Sequence, residues 1–372
     1  MRTDKLPSGW GRLPFRLKYP LRDTPHFTIE TNKTCNLRCR SCYSLNRTGV
    51  KTRAEIRAEV EEALKSRNAG VVTLLGGEPT LHPELAAIVS DLKRRGLRCQ
   101  LLTNGIRFLQ AGGDGLLDDL AAAGLDRIFV HIDEGQAHMH PDIEAARRAV
   151  FTKLEERRFR YGLSVTIYRE TAGRLPEILR AYAGYKRFDS ILAVLARDPA
   201  DSSFRGPMLE AEYEGFRSAF GVEPCAYVPS NRDDRDVRWL VYFLWGRGGG
   251  RRVRSLPPPL YLLVSFVHRV FKGTRLYAPF LRWPGFRFVA IQTPPEMSED
   301  GRSYTLCHSC PDATMRNGRL TPVCIADLIH PPGSDGRVPP SNSDRVRRET
   351  VYGHLGEIGA LLPEFVAGPV DG

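Results

Sequence analysis

Between His26 and Leu195 the sequence alternates strand-like and helix-like stretches, and no other feature of the 372-residue chain restricts its fold so much. Phe27–Thr31 is a β-type run, and Thr52–Arg67 has helical spacing with Glu55/Glu59 and Glu62/Lys65 one turn apart. Val71–Leu75 is uninterrupted apolar sequence ending in Gly76-Gly77, the pattern of a strand buried on both faces. Pro83–Arg95 places Leu85, Ile88, Val89 and Leu92 on one helical face, and Gly96 stops it. Strands then follow at Arg98–Thr103, Arg127–Ile132, Leu163–Tyr168 and Ser190–Leu195, with helices at Leu116–Ala123, Ile143–Arg158 and Leu175–Tyr182. Six βα-type units at a spacing of about 30 residues predict a parallel sheet with helices outside it. In such a sheet ligands bind at the C-terminal ends of the strands. The loops Cys35–Cys42, Gly76–Thr80, Thr103–Gly105 and Asp133–Gly135 all fall there.

After about residue 200 the alternation is lost. The chain divides into a basic aromatic segment at 1–25, an α/β barrel region at 26–200, and a basic aromatic insert at 201–300. A cysteine region at 301–330 and a Pro/Ser/Gly-rich linker with a closing helix at 331–372 complete it. The composition, 42% hydrophobic and 26% charged, excludes wholesale disorder.

There are eight cysteines, and Met1–Gly11 shows no apolar stretch of the secretory kind, so metal ligation is expected over disulfides and the location expected is cytoplasmic. Cys35-x3-Cys39-x2-Cys42 offers three soft thiolates from one loop, which suits an iron–sulfur cluster or zinc and leaves one metal position open. Cys99, alternating with Leu101, reads as a core residue.

Cys35-Asn-Leu-Arg-Cys39-Arg-Ser-Cys42-Tyr43 resembles the signature of the radical S-adenosylmethionine (SAM) enzymes. Gly76-Gly77-Glu78-Pro79 is similar to the family's GGEP motif, and Leu102-Thr103-Asn104-Gly105 to its TNG turn. The resemblance spans about residues 26–195. It implies a (β/α)6 partial TIM-type barrel in which Cys35, Cys39 and Cys42 hold a [4Fe–4S] cluster whose fourth iron chelates SAM. One-electron reduction, by a reductant such as flavodoxin or ferredoxin, would cleave SAM to a 5′-deoxyadenosyl radical that abstracts hydrogen from an unactivated carbon. It also implies a cofactor-binding set. Tyr43 would border the adenine, Gly76 and Gly77 would bring backbone to the SAM ammonium, and Glu78 would lie near that charge. Asn104 belongs to the TNG turn, Asp133 would contact the ribose, and Thr166 and Tyr168 lie on the fifth strand. Alternatives remain: a partial zinc site for the cysteines, a tight turn for the glycines, a helix N-terminal acid for Glu78 and a helix cap for Asp133.

A second set, Cys307-x2-Cys310-x13-Cys324, encloses Asn317-Gly318, a hairpin signal that would return Cys324 toward the pair. Its spacing resembles the C-terminal auxiliary cluster of the GTP cyclase of molybdenum-cofactor synthesis, which implies a second [4Fe–4S] cluster. Zinc completed by His308 or His330, with Cys225 a distant candidate, and unliganded thiols are the alternatives.

The net charge of +11 is not spread evenly. Residues 1–25 carry +4 and residues 232–287 carry +9, which leaves −2 for the rest, and all four tryptophans lie in those two segments. Arginine among aromatics suits a bilayer surface, single-stranded nucleic acid, or plain packing with a solvated arginine rim. Trp10–Tyr19 and Leu260–Phe271 are the candidate interfacial helices. No RNA-binding module accompanies the insert, which disfavours nucleic acid. The expected substrate is a small or lipid-like amphiphilic molecule met by peripheral contact at the inner membrane surface. A peptide maturase and a zinc-stabilised nucleic-acid-binding protein are the alternatives.

Overall fold

The computed structural model describes residues 14–18, 21–37, 39, 42–44, 49–136, 142–196, 205–230, 236–247, 252–272, 286–297, 304–307 and 309–329. The Val346–Phe365 helix and the linker before it lie outside these residues, as do His308 and His330.

After a short strand β1 (Phe15–Arg16), the alternating region forms β2 (His26–Glu30), α1 (Arg53–Ser66), β3 (Val71–Leu75), α2 (Leu85–Arg94) and β4 (Arg98–Thr103). It goes on through α3 (Ile106–Leu109), α4 (Gly113–Ala122), β5 (Arg127–His131), α5 (Ile143–Glu156), β6 (Tyr161–Ile167), α6 (Leu175–Ala181) and β7 (Phe188–Leu195). Strands β2 to β7 pair in sequence order, and every pair is parallel. Local chemistry sets the ends of these elements. Thr52 caps α1 with a reciprocal box to Glu55, an interaction of about 1 kcal/mol. The outward residues of the strands, among them Phe27, Ile29, Val72, Leu74, Cys99, Leu101 and Val130, are buried under the helices. Each large apolar side chain so buried contributes about 1.5–3 kcal/mol. The inward face is more polar: His26 bonds Thr73 at 2.8 Å, and Thr73 donates to Gln100 at 3.1 Å.

The sheet does not stop at residue 200. It continues through α7 (Arg205–Phe220), β8 (Ala226–Pro229), β9 (Val237–Arg247), β10 (Arg252–Ser255), α8 (Pro258–Lys272) and β11 (Phe286–Gln292). β11 adds parallel to β7, β9 runs antiparallel between β11 and β8, β10 folds back on β9, and β1 pairs with the first half of β8. The insert of the sequence analysis is therefore in large part sheet. Its apolar run is a strand covered on both faces from Trp239 to Leu244. Trp239, Val241 and Phe243 point to an inner cluster with Val71 and Phe288, while Leu240, Tyr242 and Leu244 join the main core. Tyr242 stacks on Phe216 with ring centroids 4.4 Å apart. The described part of Trp10–Tyr19 is likewise strand and core, not an interfacial helix: Phe15 pairs with Ala226, and Leu17 is buried.

The remaining elements are β12 (Glu296–Met297), β13 (Tyr304–Thr305), β14 (Ala313–Arg316), β15 (Arg319–Pro322) and α9 (Val323–Ile329). β14 and β15 form the hairpin expected at Asn317-Gly318, both of which have positive φ (47° and 72°). Cys307 makes a bridge to Ser230 just past β8, and β14 packs along β2. The second cysteine segment thus spans the two edges that the sheet leaves open. No helix among the described residues is long and apolar enough to cross a membrane.

Candidate functional site

The loops after β2, β3, β4 and β5 meet at the C-terminal ends of their strands. The backbone of the β2 loop crosses directly over Gly76-Gly77. The Gly77 amide donates to the Asn32 carbonyl and the Glu78 amide to that of Thr34, each at 2.8 Å. A Cβ at Gly76 would stand 2.2 Å from the Asn32 oxygen, and one at Gly77 would stand 2.3 Å from the oxygens of both Lys33 and Thr34. Only glycine lets the chain that leads into Cys35 lie this close. Asn32 Nδ2 closes the crossing by donating to the carbonyls of Thr34 and Glu78, and Tyr43 Oη donates to that of Gly76 at 3.2 Å. Burial holds the Tyr43 hydroxyl well above its ordinary pKa.

Glu78 is 1% exposed, and its carboxylate accepts from Thr80 N (3.0 Å), Thr80 Oγ1 (2.5 Å), Thr103 Oγ1 (2.6 Å) and Asn104 N (2.7 Å). Burial raises its pKa, while these donors oppose the rise. Asn104 in turn donates from Nδ2 to Asn36 Oδ1 at 2.7 Å, so the turn after β4 reaches the cysteine loop.

Cys35, Cys39 and Cys42 are half-buried. Leu37 N donates to Cys35 Sγ at 3.4 Å, and Gln136 Nε2 donates to Cys39 Sγ at 3.5 Å while also bonding the His131 carbonyl at 2.9 Å. Burial pushes the Cys39 thiol up to about 12; Cys42, Asp133 and Cys35 act in the same direction and Gln136 against it. This thiol is protonated without metal, and iron binding must release its proton. Asp133 is fully buried, with Oδ2 accepting the Thr166 amide at 2.6 Å and lying 3.5 Å from His131 Nε2. The next helix, α5, is capped by Asp142. Asp133 therefore braces β5 to β6 and does not cap that helix.

Beneath the loop lies a charge cluster. Lys33 Nζ is 2.8 Å from Glu30 and 2.5 Å from Asp327, and Arg316 contacts both carboxylates. Glu30 and Asp327 are buried, and burial lowers the pKa of Lys33. This cluster ties the base of the cysteine loop to α9.

Cys307 and Cys310 are each 6% exposed and belong to the inner apolar cluster with Val228 and Trp239, whereas Cys324 on α9 is half-buried. The Cys310 thiol hydrogen-bonds to Cys307 and is held protonated by that bond and by burial. Arg67, buried between α1 and β3, donates to the carbonyls of His26 and Cys310 at 2.7 Å each. Cys225 is placed apart. It precedes Ser230 by five residues of nearly extended chain, about 16 Å of strand, and its thiol bonds the Val241 carbonyl at 3.3 Å. It is not a fourth ligand for Cys307.

Among the described residues no three Cys, His, Asp or Glu side chains are gathered tightly enough to hold a single metal ion. The donor set of the first loop, three soft thiols with amide donors on two of the sulfurs, fits an iron–sulfur cluster, with Cys35, Cys39 and Cys42 as the residues that would hold it. Sequence reasoning did not identify Gln136, Asn36, Lys33 or Arg67. The one available signal was that Gln136 is a polar residue in a loop after a strand.

The sequence model of the Radical SAM superfamily matches residues 29–189. PqqA peptide cyclase of Xanthomonas campestris pv. campestris is 30% identical over 110 residues, 28% of this chain and 28% of the relative. The probable GTP 3′,8-cyclase of Saccharolobus islandicus is 34% identical over 125 residues, 32% of this chain and 36% of the relative. The crystal structure of Streptococcus suis SuiB bound to S-adenosylmethionine covers 51% of this chain and 42% of its own at 12% identity and a TM-score of 0.39. The chain thus spans about a third or less of the length of these two curated relatives. Over residues 29–189, less than half of its length, the chain is similar to the Radical SAM superfamily.

Proposed function

We propose that this chain is an enzyme that cleaves SAM reductively at a [4Fe–4S] cluster held by Cys35, Cys39 and Cys42 and takes a hydrogen atom from an unactivated carbon. The observation that carries the reading is the loop crossing: Gly76-Gly77 and Glu78 fasten the backbone that leads into Cys35, Cys39 and Cys42 at the C-terminal ends of parallel strands. When bound, the cluster and SAM supply a carbon-centred radical. The chain's part is to hold and shield. Gly76 and Gly77 offer backbone polar groups beside the loop, Tyr43 forms an aromatic wall, and Asn104 and Asp133 fix neighbouring turns. Thr166 stands beside Asp133. Glu78 accepts from Thr80, Thr103 and Asn104 and so braces the loops, and it would lie near the SAM ammonium.

Cys307, Cys310 and Cys324 would hold an auxiliary [4Fe–4S] cluster. The electron comes from a flavodoxin- or ferredoxin-type donor in the cytoplasm. The finer substrate reading is a lipid-like amphiphile met at the membrane surface, supported by a stretch from 237 to 295 that holds ten Arg/Lys and no acidic residue. The similarity to a peptide cyclase supports a peptide instead. Anaerobic reconstitution followed by dithionite and SAM tests the activity: 5′-deoxyadenosine is expected, and zinc without iron in the purified protein would sink the reading. Amphiphile and peptide fractions are then compared for the one that accelerates 5′-deoxyadenosine formation.

A further inference from the structure

Nine large apolar side chains are exposed among the described residues, and six of them lie on α8. Leu262, Phe266 and Val270 stand at i, i+4 and i+8, and Leu260, Leu263 and Val267 form the adjoining row. At about 100° per residue the six cover an uninterrupted arc of about 160°. Their exposures run from 43% to 63%, with Phe266 and Val270 highest. On the opposite side two of the described side chains are buried. Tyr261 is fully covered, with its ring 6.0 Å from that of Phe15, and Ser265 is buried beside it. One helix thus anchors by a single edge and turns its broad apolar side outward, the reverse of an ordinary surface helix.

We propose that α8 is a docking element for an anionic lipid bilayer, lying in the interface with Leu262, Leu263, Phe266 and Val270 inserted. Charge complementarity selects this occupant. From residue 237 to 295 there is no Asp or Glu and there are ten Arg/Lys, nine of them arginine, with Arg238 buried and Arg287 half-buried in the sheet. Just ahead of the helix, half-exposed Trp245 stands opposite exposed Arg254 in the β9–β10 pair, the aromatic–basic pairing suited to the headgroup layer. The helix is about 22 Å long, which lets it lie on a bilayer but not cross one. A second copy of this chain would want an apolar face with mixed charges around it, and nucleic acid would want the arginines without the leucines.

This docking is independent of the radical chemistry and is read without iron or SAM. Full-length protein is sedimented with phosphatidylcholine vesicles and with vesicles that also contain phosphatidylglycerol. The wild type is expected to sediment with the anionic vesicles and to be released in part at high salt. The double variant Leu263→Ser/Phe266→Ser, whose sites are already solvent-exposed, should keep its thermal midpoint and lose about tenfold or more of its partitioning. Absence of sedimentation by the wild type at low salt overturns the proposal, as does equal sedimentation of the variant. A wild-type dimer that the variant converts to monomer, with no vesicle binding, assigns the face to a second copy. Any of these failures leaves 5′-deoxyadenosine formation untouched.

Discussion

The two cysteine groups have the same number of thiols and opposite surroundings. Cys35, Cys39 and Cys42 sit half-buried on a loop that makes a backbone crossing over Gly76-Gly77, and amides donate to Cys35 and Cys39. Cys307 and Cys310 are sealed in an apolar cluster as free thiols, hydrogen-bonded to each other, in a segment that spans the two edges of the sheet. A cluster on the first group would be open to a substrate, and one on the second would be shielded from it. Spacing alone did not distinguish them, because spacing states which sulfurs belong together and not what covers them.

The largest expected difference is in iron. With both clusters formed, the wild type should hold about eight iron atoms per chain and Cys310→Ala about four, since only the sealed site is lost. If Cys310→Ala keeps all its iron, the second group holds none. Next is the strut under the open site. Glu78→Ala leaves the buried donors of Thr80, Thr103 and Asn104 unpaired and should cost about 3 kcal/mol in denaturant unfolding. A change under about 0.5 kcal/mol would show that the loops are held otherwise. Gln136→Leu removes the donor to Cys39 Sγ, so the reduced, more negative cluster loses stabilisation and its potential should fall. Redox titration followed by electron paramagnetic resonance reads this, and an unchanged potential would show that the bond is not made in the loaded protein.

The smallest effect concerns Asp91, which Arg53, Arg57 and Arg94 surround on the α1–α2 face behind the open loop. Its pKa is held well below the ordinary carboxylate range, first by the Arg53 hydrogen bond. The stability this contributes is present above the unfolded value near 3.9 and is lost as pH falls through the folded one. Below pH ~4 the wild type should lose its advantage over Asp91→Asn, a difference of no more than about 4 °C in Tm because the arginines are partly solvated.

The six-unit barrel was legible because its strands are buried on both faces and its helices carry a clear amphipathic period; Val71–Leu75 and Arg98–Thr103 match the structure residue for residue. The sheet beyond residue 200 was not. β9 reads as one apolar aromatic run because both its faces are covered, and glycine-rich sequence obscures its return through β10. The site divides the same way. Cys35, Cys39, Cys42, Gly76, Gly77 and Asn104 are local motifs. Gln136 meets Cys39 across 97 residues, Arg67 meets Cys310 across 243 and Lys33 meets Asp327 across 294, partnerships that only the folded sheet creates.

The central claim is that the open loop, and not the sealed pair, is where SAM is cleaved. Its most direct test is 5′-deoxyadenosine formation from SAM and dithionite by reconstituted wild type, Cys39→Ala and Cys310→Ala side by side. Cys39→Ala should lose the product by well over about 100-fold while Cys310→Ala continues to form it. Persistent product in Cys39→Ala, or its disappearance in Cys310→Ala alone, would contradict the account.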